Sequence, residues 1–342
     1  MKKFIFKISI FSFLLITFFY AYDHVITKGL QKCDYAEFND WNKILNGSIK
    51  SNLIISGSSK AQVQVLPNIL DSILKCNSYN LALNGYSFNM QKAKFDTYVS
   101  KNNYPKVLIQ VVSNKTMQKR KDLFEIDQFL PYLDNKNINK ASKEYVGLMS
   151  YDYKLPLIRY IGKYYLQYVG FVSFFDLPLK YLKDSKNKGA IAHKKNWDGT
   201  FEKFVKQNPN GISYKIEKLS DLKFQSFLLE LVNNNVIVFL IYPPTYWESH
   251  RYIVNRNEII NYYETNARNN DNVFFIDYSN STLSYDKSNF YNSQHLNKKG
   301  STIFSKILAK EINFLLKSKD ENRNFFINSN SVTSNNIESI VK

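Results

Sequence analysis

The chain has 342 residues, of which 44% are hydrophobic and 22% charged, so it is long enough and apolar enough to bury a sizeable core. Its formal net charge of +17 comes mostly from lysines that are spread along the whole sequence. Because the basic residues form no arginine-rich stripe, the composition argues against a nucleic-acid-binding protein, and an anionic membrane surface or an acidic glycan suits the charge better.

The N-terminus combines a basic flank with an apolar run. Lysines precede or enter the segment 4–22, which is rich in Phe, Ile and Leu and ends before Asp23. A helix needs about 20 apolar residues to cross a bilayer, and lysines that flank it stay in the cytoplasm. We therefore predict an uncleaved single-pass anchor at 1–24 in the cell membrane, with the main part of the chain on the extracytoplasmic side. A cleaved signal peptide is the alternative, and both imply export.

Two cysteines, Cys33 and Cys76, lie in the part of the chain that follows the apolar run. They could form one disulfide, but two cysteines make neither a disulfide framework nor a metal site, and their pairing is left open. Since the sequence contains no metal or nucleotide motif, no cofactor is predicted.

Short apolar runs separated by helical patterns predict an α/β fold. The runs are rich in β-branched and aromatic residues and are bounded by Gly, Asn, Pro or Ser, as buried strands are. Helical spacing follows Lys60, with a division at Pro67, and recurs at about 248–269 and at 298–317. Such alternation indicates a parallel sheet covered on both faces, with ligands at the carboxyl ends of the strands. The predicted strands are 52–56, 79–83, 106–112, 236–242 and 273–277.

A long segment, about 116–211, interrupts this alternation between the third and fourth strands. It is far longer than a usual connection, and its stretch 150–175 is crowded with Tyr and Phe. We predict a helical insertion that caps one end of the sheet and uses these aromatics as core and lid residues; a membrane- or partner-facing surface is the alternative. The remaining predicted divisions are a juxtamembrane segment at 25–50, the main domain at 51–318 and a disordered tail at 319–342.

Three strand ends carry residues that suit acyl-transfer chemistry. Ser59 follows the first strand in a Gly-Ser-Ser turn at the start of a helix, where free amides favour negative charge. Gly85 follows the second strand, and its amide could be an oxyanion donor. Asn114 follows the third strand and could add a side-chain amide. Each pattern alone is also ordinary for a structural turn.

His295 is the histidine placed where strand ends converge. His24 adjoins the apolar run, His193 lies in the insertion and His250 falls in a helical segment after two prolines. His295 follows the last strand and directly precedes the C-terminal helix. An imidazole there could act as general base for Ser59, although a lone histidine could equally serve as a turn or capping residue.

These blocks resemble the SGNH/GDSL hydrolase superfamily in their order along the chain. The histidine phrase is also similar to one in membrane-anchored, exported SGNH-like proteins associated with acylation of bacterial surface polysaccharides. The resemblance covers 51–115 and about 215–317, and it leaves the anchor, the insertion and the tail outside. The blocks that carry it are Gly57-Ser-Ser59, Asn84-Gly85, Asn114 and His295-Leu-Asn-x-x-Gly300.

The resemblance implies a flavodoxin-like three-layer α/β/α sandwich with a five-stranded parallel sheet. It also implies that Ser59 is the nucleophile, that His295 is the base, and that the Ser59 amide, Gly85 and Asn114 hold the oxyanion. The implied function is a serine esterase or O-acyltransferase, for acetyl groups in the first instance. Its substrate would be a cell-surface glycan, and a membrane-embedded acyltransferase would be a partner.

Two positions depart from the superfamily pattern. Asn292 stands where members carry an aspartate three positions before the histidine. An asparagine accepts a hydrogen bond from the imidazole but supplies no negative charge, and in a serine protease template this exchange costs about 10⁴ in turnover. Asp277 or Asp286 could replace the carboxylate, or a serine–histidine dyad could suffice.

The other departure is Val112-Ser-Asn-Lys115, where members often carry Gly-x-Asn-Asp. It weakens the role implied for Asn114. Together with Asn292, it leaves open a second function: a catalytically weakened member that binds glycan or acts as a scaffold for a membrane acyltransferase.

Overall fold

A computed structural model describes residues 1–177 and 186–321, so most of the predicted tail lies outside the described residues. The chain divides into two compact units. The N-terminal unit comprises Met1–Ser48 and Lys121–Ser185, and the sheet unit comprises Ile49–Arg120 and Lys186–Lys342. Within the predicted insertion, residues 121–185 therefore group with the N-terminal segment, whereas 116–120 and 186–211 group with the sheet.

The sheet unit is an α/β structure built on a five-stranded, all-parallel sheet in the order β2-β1-β3-β4-β5. This is a doubly wound order, in which ligands bind beyond the carboxyl ends of the strands. The strands are β1 (Leu53–Ser56), β2 (Ser78–Asn80), β3 (Val107–Val111), β4 (Ile237–Tyr242) and β5 (Val273–Asp277).

The strands lie where the sequence predicts them, except that β2 is shorter at its carboxyl end. Residues 81–83 leave the ladder geometry but stay beside β1, because the amides of Leu81 and Leu83 donate to the carbonyls of Ile55 and Gly57. The segment is buried, and this explains why its composition resembles a strand.

Helices cover both faces of the sheet, consistent with a three-layer arrangement. Ile55 and Ile109 belong to one apolar cluster that also contains Phe304 of the C-terminal helix. The alternate strand residues Ile54 and Leu108, which point to the other face, are also 0% exposed. Burying such a side chain contributes roughly 1.5–3 kcal/mol. The α-helices are α1 (Lys2–Leu30), α2 (Ala36–Leu45), α3 (Ser59–Gln64), α4 (Pro67–Leu74), α5 (Phe88–Val99), α6 (Lys136–Ser142), α7 (Tyr164–Phe174), α8 (Thr200–Gln207), α9 (Lys218–Asn233), α10 (Arg256–Arg268) and α11 (Lys298–Glu321).

Short 3₁₀ helices complete the structure. As predicted, Pro67 divides the helical segment after β1, because it takes the first turn of α4. The predicted helix at 248–269 is instead a 3₁₀ helix followed by α10. The 3₁₀ helices are Ile126–Tyr132, Ser150–Tyr153, Ile158–Tyr160, Trp247–Tyr252, Thr282–Tyr285 and Lys287–Asn289.

A small antiparallel hairpin, β6 (Phe290–Asn292) and β7 (His295–Leu296), lies between β5 and α11 and contains His295. Asn297 caps α11, since its Oδ1 accepts the Gly300 amide at 3.1 Å. A Cβ at Gly300 would overlap the carbonyl oxygen of Asn289, so only glycine lets the helix approach the hairpin this closely. The His-Leu-Asn-x-x-Gly phrase thus fixes the hairpin against α11.

In the N-terminal unit, α1 is long and apolar enough to span a membrane, with a mean hydropathy of 2.0 over its most apolar window. The C-terminal end of α1 packs on α7. Gly29 and Gly170 allow this close approach, because a Cβ at Gly29 would overlap the carbonyl oxygen of Gly170. Asp23 also pairs with Arg159 at 2.8 Å. The helix therefore continues from an exposed apolar segment into a folded contact.

The aromatic stretch of the N-terminal unit only partly matches its expected core role. Tyr160 is fully buried, and its hydroxyl lies 2.9 Å from that of Thr27. Most of the other aromatics are exposed in this structure, and four of them follow one face of α7: Tyr164, Tyr168, Phe171 and Phe175. Sequence composition alone did not separate these two environments.

The two cysteines, Cys33 and Cys76, are free thiols. Burial raises the pKa of each to about 11, so both are protonated at neutral pH.

Candidate active site

Ser59 begins α3, two residues after a tight turn that follows β1. The turn depends on Gly57, which has φ +146°, and a Cβ there would lie 2.8 Å from the carbonyl oxygen of Val111. Only glycine combines this backbone angle with this close approach. The turn directs the chain out of the sheet and places the Ser59 hydroxyl at the carboxyl edge of the strands.

His295 meets Ser59 across 236 positions of sequence. The Ser59 Oγ lies 2.8 Å from His295 Nε2, and His295 Nδ1 lies 3.0 Å from Asn292 Oδ1. The same Oδ1 accepts the Gln294 amide at 3.0 Å, which identifies it as the acceptor that faces the ring. Nδ1 therefore carries the proton and donates to Asn292, and Nε2 is free to accept from the Ser59 hydroxyl.

The His295 imidazole is held in its neutral form. Burial lowers its pKa to about 3, and the positive charges of Lys60 and Lys115 act in the same direction. The ring also stacks on Tyr291, with centroids 5.4 Å apart and planes 5° from parallel. A neutral, oriented imidazole with an unprotonated Nε2 is the form that accepts a proton from a nucleophile.

The Asp198 carboxylate interacts with the histidine indirectly, through the side chain of Asn292. Its Oδ1 accepts the amide and hydroxyl of Thr200 at 2.9 and 2.7 Å, and its own amide donates to the Tyr291 carbonyl at 2.9 Å. Burial tends to raise the pKa of Asp198, but hydrogen bonds from Thr200 and from the Asn292 side chain outweigh it and lower the pKa. The negative charge of Asp198 in turn acts to raise the pKa of His295. Asn292 thus lies between the imidazole and an ionised carboxylate.

The two acids that the sequence offered as substitutes are engaged elsewhere. Asp277 pairs with Arg256 at 3.3 Å. Asp286 accepts the Ser288 amide at 2.9 Å and pairs with Lys299 at 3.3 Å. The hypothesis that either carboxylate replaces Asn292 is therefore not supported by the geometry.

Two backbone amides, those of Ser59 and Gly85, are candidate oxyanion donors at one cavity. Ser59 and Gly85 both line a cavity of about 350 Å³, and neither amide donates a hydrogen bond to any described residue. Gly85 has φ +73°, a backbone angle that glycine adopts without strain. Its carbonyl accepts a 2.6 Å hydrogen bond from Arg120, which fixes the orientation of this peptide.

Asn114 is less closely tied to the site. Its side chain is buried beside the Tyr214 hydroxyl, and its Nδ2 has no partner in hydrogen-bond geometry among the described residues. It does not line the cavity that contains Ser59 and Gly85. An unpaired buried amide is consistent with a hydrogen-bond donor to a bound oxyanion, but this role of Asn114 stays a prediction.

The other three histidines differ in the side chains that they contact. His24 packs edge-on against Phe174, and His250 lies 2.8 Å from the Thr245 hydroxyl, where burial lowers its pKa to about 4. His193, by contrast, packs edge-on against Tyr291, the ring on which His295 stacks. Sequence position did not reveal that His193 lies beside the site.

The chain matches no protein-family model and no curated protein. The case for its chemistry therefore depends on the geometry of the hydroxyl, the imidazole and the free amides at the edge of the sheet.

Proposed function

We propose that this protein is a membrane-anchored serine esterase or O-acyltransferase of the SGNH type, which works through an acyl-enzyme on Ser59. The observation that carries the proposal is the 2.8 Å contact between an oriented His295 Nε2 and the Oγ of Ser59, a residue that lines a cavity. The order of the sequence blocks and the parallel sheet support the same reading. Export, inferred from the N-terminal charge pattern, would place the enzyme at the cell envelope.

In the first half-reaction, Ser59 Oγ attacks the acyl carbon of an ester while its proton moves to His295 Nε2. The carbonyl oxygen becomes an oxyanion, which accepts hydrogen bonds from the Ser59 and Gly85 amides. Asn114 Nδ2 is a third donor if it turns toward the oxyanion. Collapse of the intermediate breaks the bond to the alkoxide, which leaves with the proton from His295.

In the second half-reaction, an acceptor hydroxyl gives its proton to His295 Nε2 and attacks the acyl-enzyme. Release of the acyl group returns the proton to Ser59. Water as acceptor makes an esterase, and a glycan hydroxyl makes an O-acyltransferase. The resemblance favours acetyl transfer on a surface polysaccharide, with a membrane-embedded acyltransferase as partner.

The Asn292–Asp198 pair would compensate in part for the missing aspartate. When His295 becomes an imidazolium, Nδ1–H donates to Asn292 Oδ1, and the amide Nδ2 donates in turn to Asp198. The amide is thereby polarised, and the Asp198 charge stabilises the imidazolium through it. Asp198 is a positioning residue in this scheme, since it acts through Asn292.

A catalytically weakened glycan-binding or scaffold protein is the second candidate function. The observation that favours it is Asn292 itself, because an amide in direct contact with the imidazole is a poorer partner than a carboxylate. Replacement Asn292→Asp distinguishes the two. A large gain in esterase activity indicates that the natural site is impaired. Little change indicates that Asp198 already stabilises the imidazolium through Asn292.

Labelling with a fluorophosphonate tests the nucleophile. We expect the full-length chain in detergent to form a covalent adduct on Ser59 that is lost in Ser59→Ala. Ser58→Ala is the matched control, because Ser58 lines the same cavity and makes no side-chain hydrogen bond as the cap of α3. A folded protein that never labels, or that labels equally in Ser59→Ala, would count against the proposal.

A further inference from the structure

The cavity beside Ser59 is lined by cations. Lys115, Lys119 and Arg120 contribute to its wall, and no Asp or Glu does so among the described residues. The rest of the lining is small or hydrogen-bonding, with Ser87 and Thr116 as examples. A ligand that enters this cavity next to the nucleophile therefore meets a positive wall.

Two of these cations have no charge partner among the residues that the structure describes. Among the described residues, neither the Lys115 nor the Lys119 ammonium makes an ion pair, and both side chains are exposed. Arg120 is oriented: its Nη1 donates to the Gly85 carbonyl, and its guanidinium lies 5.9 Å from the centroid of the Tyr86 ring. The cavity thus presents one oriented guanidinium and two exposed ammonium groups beside the predicted oxyanion donors.

Lys60, the residue after the candidate nucleophile, does not line the cavity but is buried one residue from Ser59. Its side chain is 5% exposed, its ammonium makes no hydrogen bond or ion pair within the described ranges, and its Nζ lies 5.7 Å from the centroid of the Tyr242 ring. Burial, followed by the charge of Lys115, lowers its pKa to about 7. Burying an unpaired ammonium is unfavourable, which is why the pKa falls, and the protonated fraction of Lys60 adds positive charge next to Ser59.

The basic composition of the chain does not account for this arrangement. A second cavity of about 580 Å³, between α9 and α10, is lined by Asp221 and Glu258 and by no described Lys or Arg. Positive charge therefore lines the cavity of the candidate nucleophile and not this second cavity.

We propose that this cavity is an anion subsite, in which Lys115 and Lys119, beside the oriented Arg120, bind a carboxylate or phosphate carried by the glycan that bears or accepts the acyl group. The inference rests on the proposed function for the identity of the ligand. It names the substrate class as an acidic glycan, with the anionic group near the acylated hydroxyl. A lysine ammonium binds a carboxylate and a phosphate in the same way, as a point charge, so the same residues can recognise either group.

Substrate comparison tests the proposal on the full-length chain in detergent. The probes are an O-acetylated oligogalacturonide, an O-acetylated poly(glycerol phosphate), an O-acetylated xylo-oligosaccharide and p-nitrophenyl acetate. We expect kcat/KM to be about tenfold or more higher for one of the two acidic polymers than for the neutral oligosaccharide. Preference for the first identifies a carboxylate, and preference for the second identifies a phosphate.

Lysine variants show which residues cause the preference for an acidic polymer. Lys115→Gln and Lys119→Gln should each raise KM for the preferred acidic polymer about tenfold. Lys119→Gln should also leave p-nitrophenyl acetate turnover unchanged, because Lys119 is not among the charges that lower the His295 pKa. Lys310→Gln, an exposed lysine on α11, is the matched control and should change neither. Equal kcat/KM for acidic and neutral glycan esters, with Ser59-dependent turnover intact, would overturn the anion subsite while the proposed function stands.

Binding of the deacetylated polymers distinguishes a failure of the proposed function from a failure of the anion subsite. If no ester is turned over and Ser59 never labels, the proposed function fails, and calorimetric titration with oligogalacturonide and poly(glycerol phosphate) still decides the inference. Binding that Lys115→Gln and Lys119→Gln abolish supports an anion site. Absence of binding, or equal affinity for the neutral xylo-oligosaccharide, overturns it.

Discussion

At the residue scale, the candidate site combines a proposed nucleophile, Ser59, and a proposed base, His295, with an amide and a more distant carboxylate behind the base. Asn292 holds the His295 ring and fixes its tautomer but brings no charge of its own. Asp198, anchored by Thr200, brings the charge one hydrogen bond further away. A charge at this distance stabilises the imidazolium less than a directly bonded carboxylate does, since Coulomb energy falls with separation.

The first prediction concerns Asp198. Asp198→Asn should lower kcat for p-nitrophenyl acetate roughly tenfold to a hundredfold, because the imidazolium loses its counter-charge. It should also lower the apparent pKa of the base, whereas Asn292→Asp should raise it. A pH–rate profile measures both shifts, which a merely structural loss would not produce.

Asp198→Glu should recover part of the lost activity, and Asp286→Asn is the control, because Asp286 caps Ser288 away from the ring. An unchanged profile in Asp198→Asn would show that the amide alone supports catalysis.

A second prediction follows from the low pKa of His295. An imidazole with a pKa near its usual 6.5 loses its base form as pH falls from 7 to 5, but burial and the nearby lysines lower this pKa to about 3. Log kcat/KM for p-nitrophenyl acetate should therefore stay level between pH 7 and pH 5 and fall only at lower pH. Lys60→Met removes one of the charges that depress the pKa, so the fall should begin at a higher pH. A fall centred near pH 6.5 in the wild type would contradict this account.

At the scale of elements, the hairpin of β6 and β7 carries the catalytic geometry. Asn292 and His295 lie on its two strands, and α11 supports it from behind through Asn297 and Gly300. The position of the base thus depends on how closely helix and hairpin approach.

The third prediction tests this support. Gly300→Ala should lower the free energy of unfolding by about 1–3 kcal/mol, because its Cβ would overlap Asn289, and it should lower kcat more than KM by moving the hairpin. Thr302→Ala on the exposed side of the same helix is the control. Urea denaturation and steady-state kinetics with p-nitrophenyl acetate measure the two effects. Full activity with unchanged stability in Gly300→Ala would contradict the prediction that α11 supports the hairpin that carries His295.

At the scale of the whole molecule, the apolar helix α1 and the lysines before it predict the orientation of the chain. In a variant that lacks both native cysteines, Lys310→Cys should react with a membrane-impermeant maleimide in intact cells, because the sheet unit is predicted on the extracytoplasmic side. Lys3→Cys should react only after lysis. The reverse pattern would contradict the predicted export.

The sequence predicted the sheet well because each buried parallel strand is a short, nearly continuous apolar run with a turn residue at its end. It also predicted the meeting of Ser59 with His295, since strand ends converge on one edge. It did not predict Asp198, which lies in a loop far from both in sequence and belongs to no motif. Lys60 was equally hidden: its neighbours in sequence give no sign that its side chain is buried.

The central claim is that Ser59 carries the acyl group during turnover. Acid quenching of the full-length chain during reaction with p-nitrophenyl acetate, followed by peptide mass spectrometry, tests this most directly. The account predicts an acetyl group on the peptide that contains Ser59, at the Ser59 position, and its absence in Ser59→Ala. Acetylation of a different residue during Ser59-independent turnover, or turnover with no acetylated peptide under conditions that trap the known intermediates of other serine esterases, would contradict it.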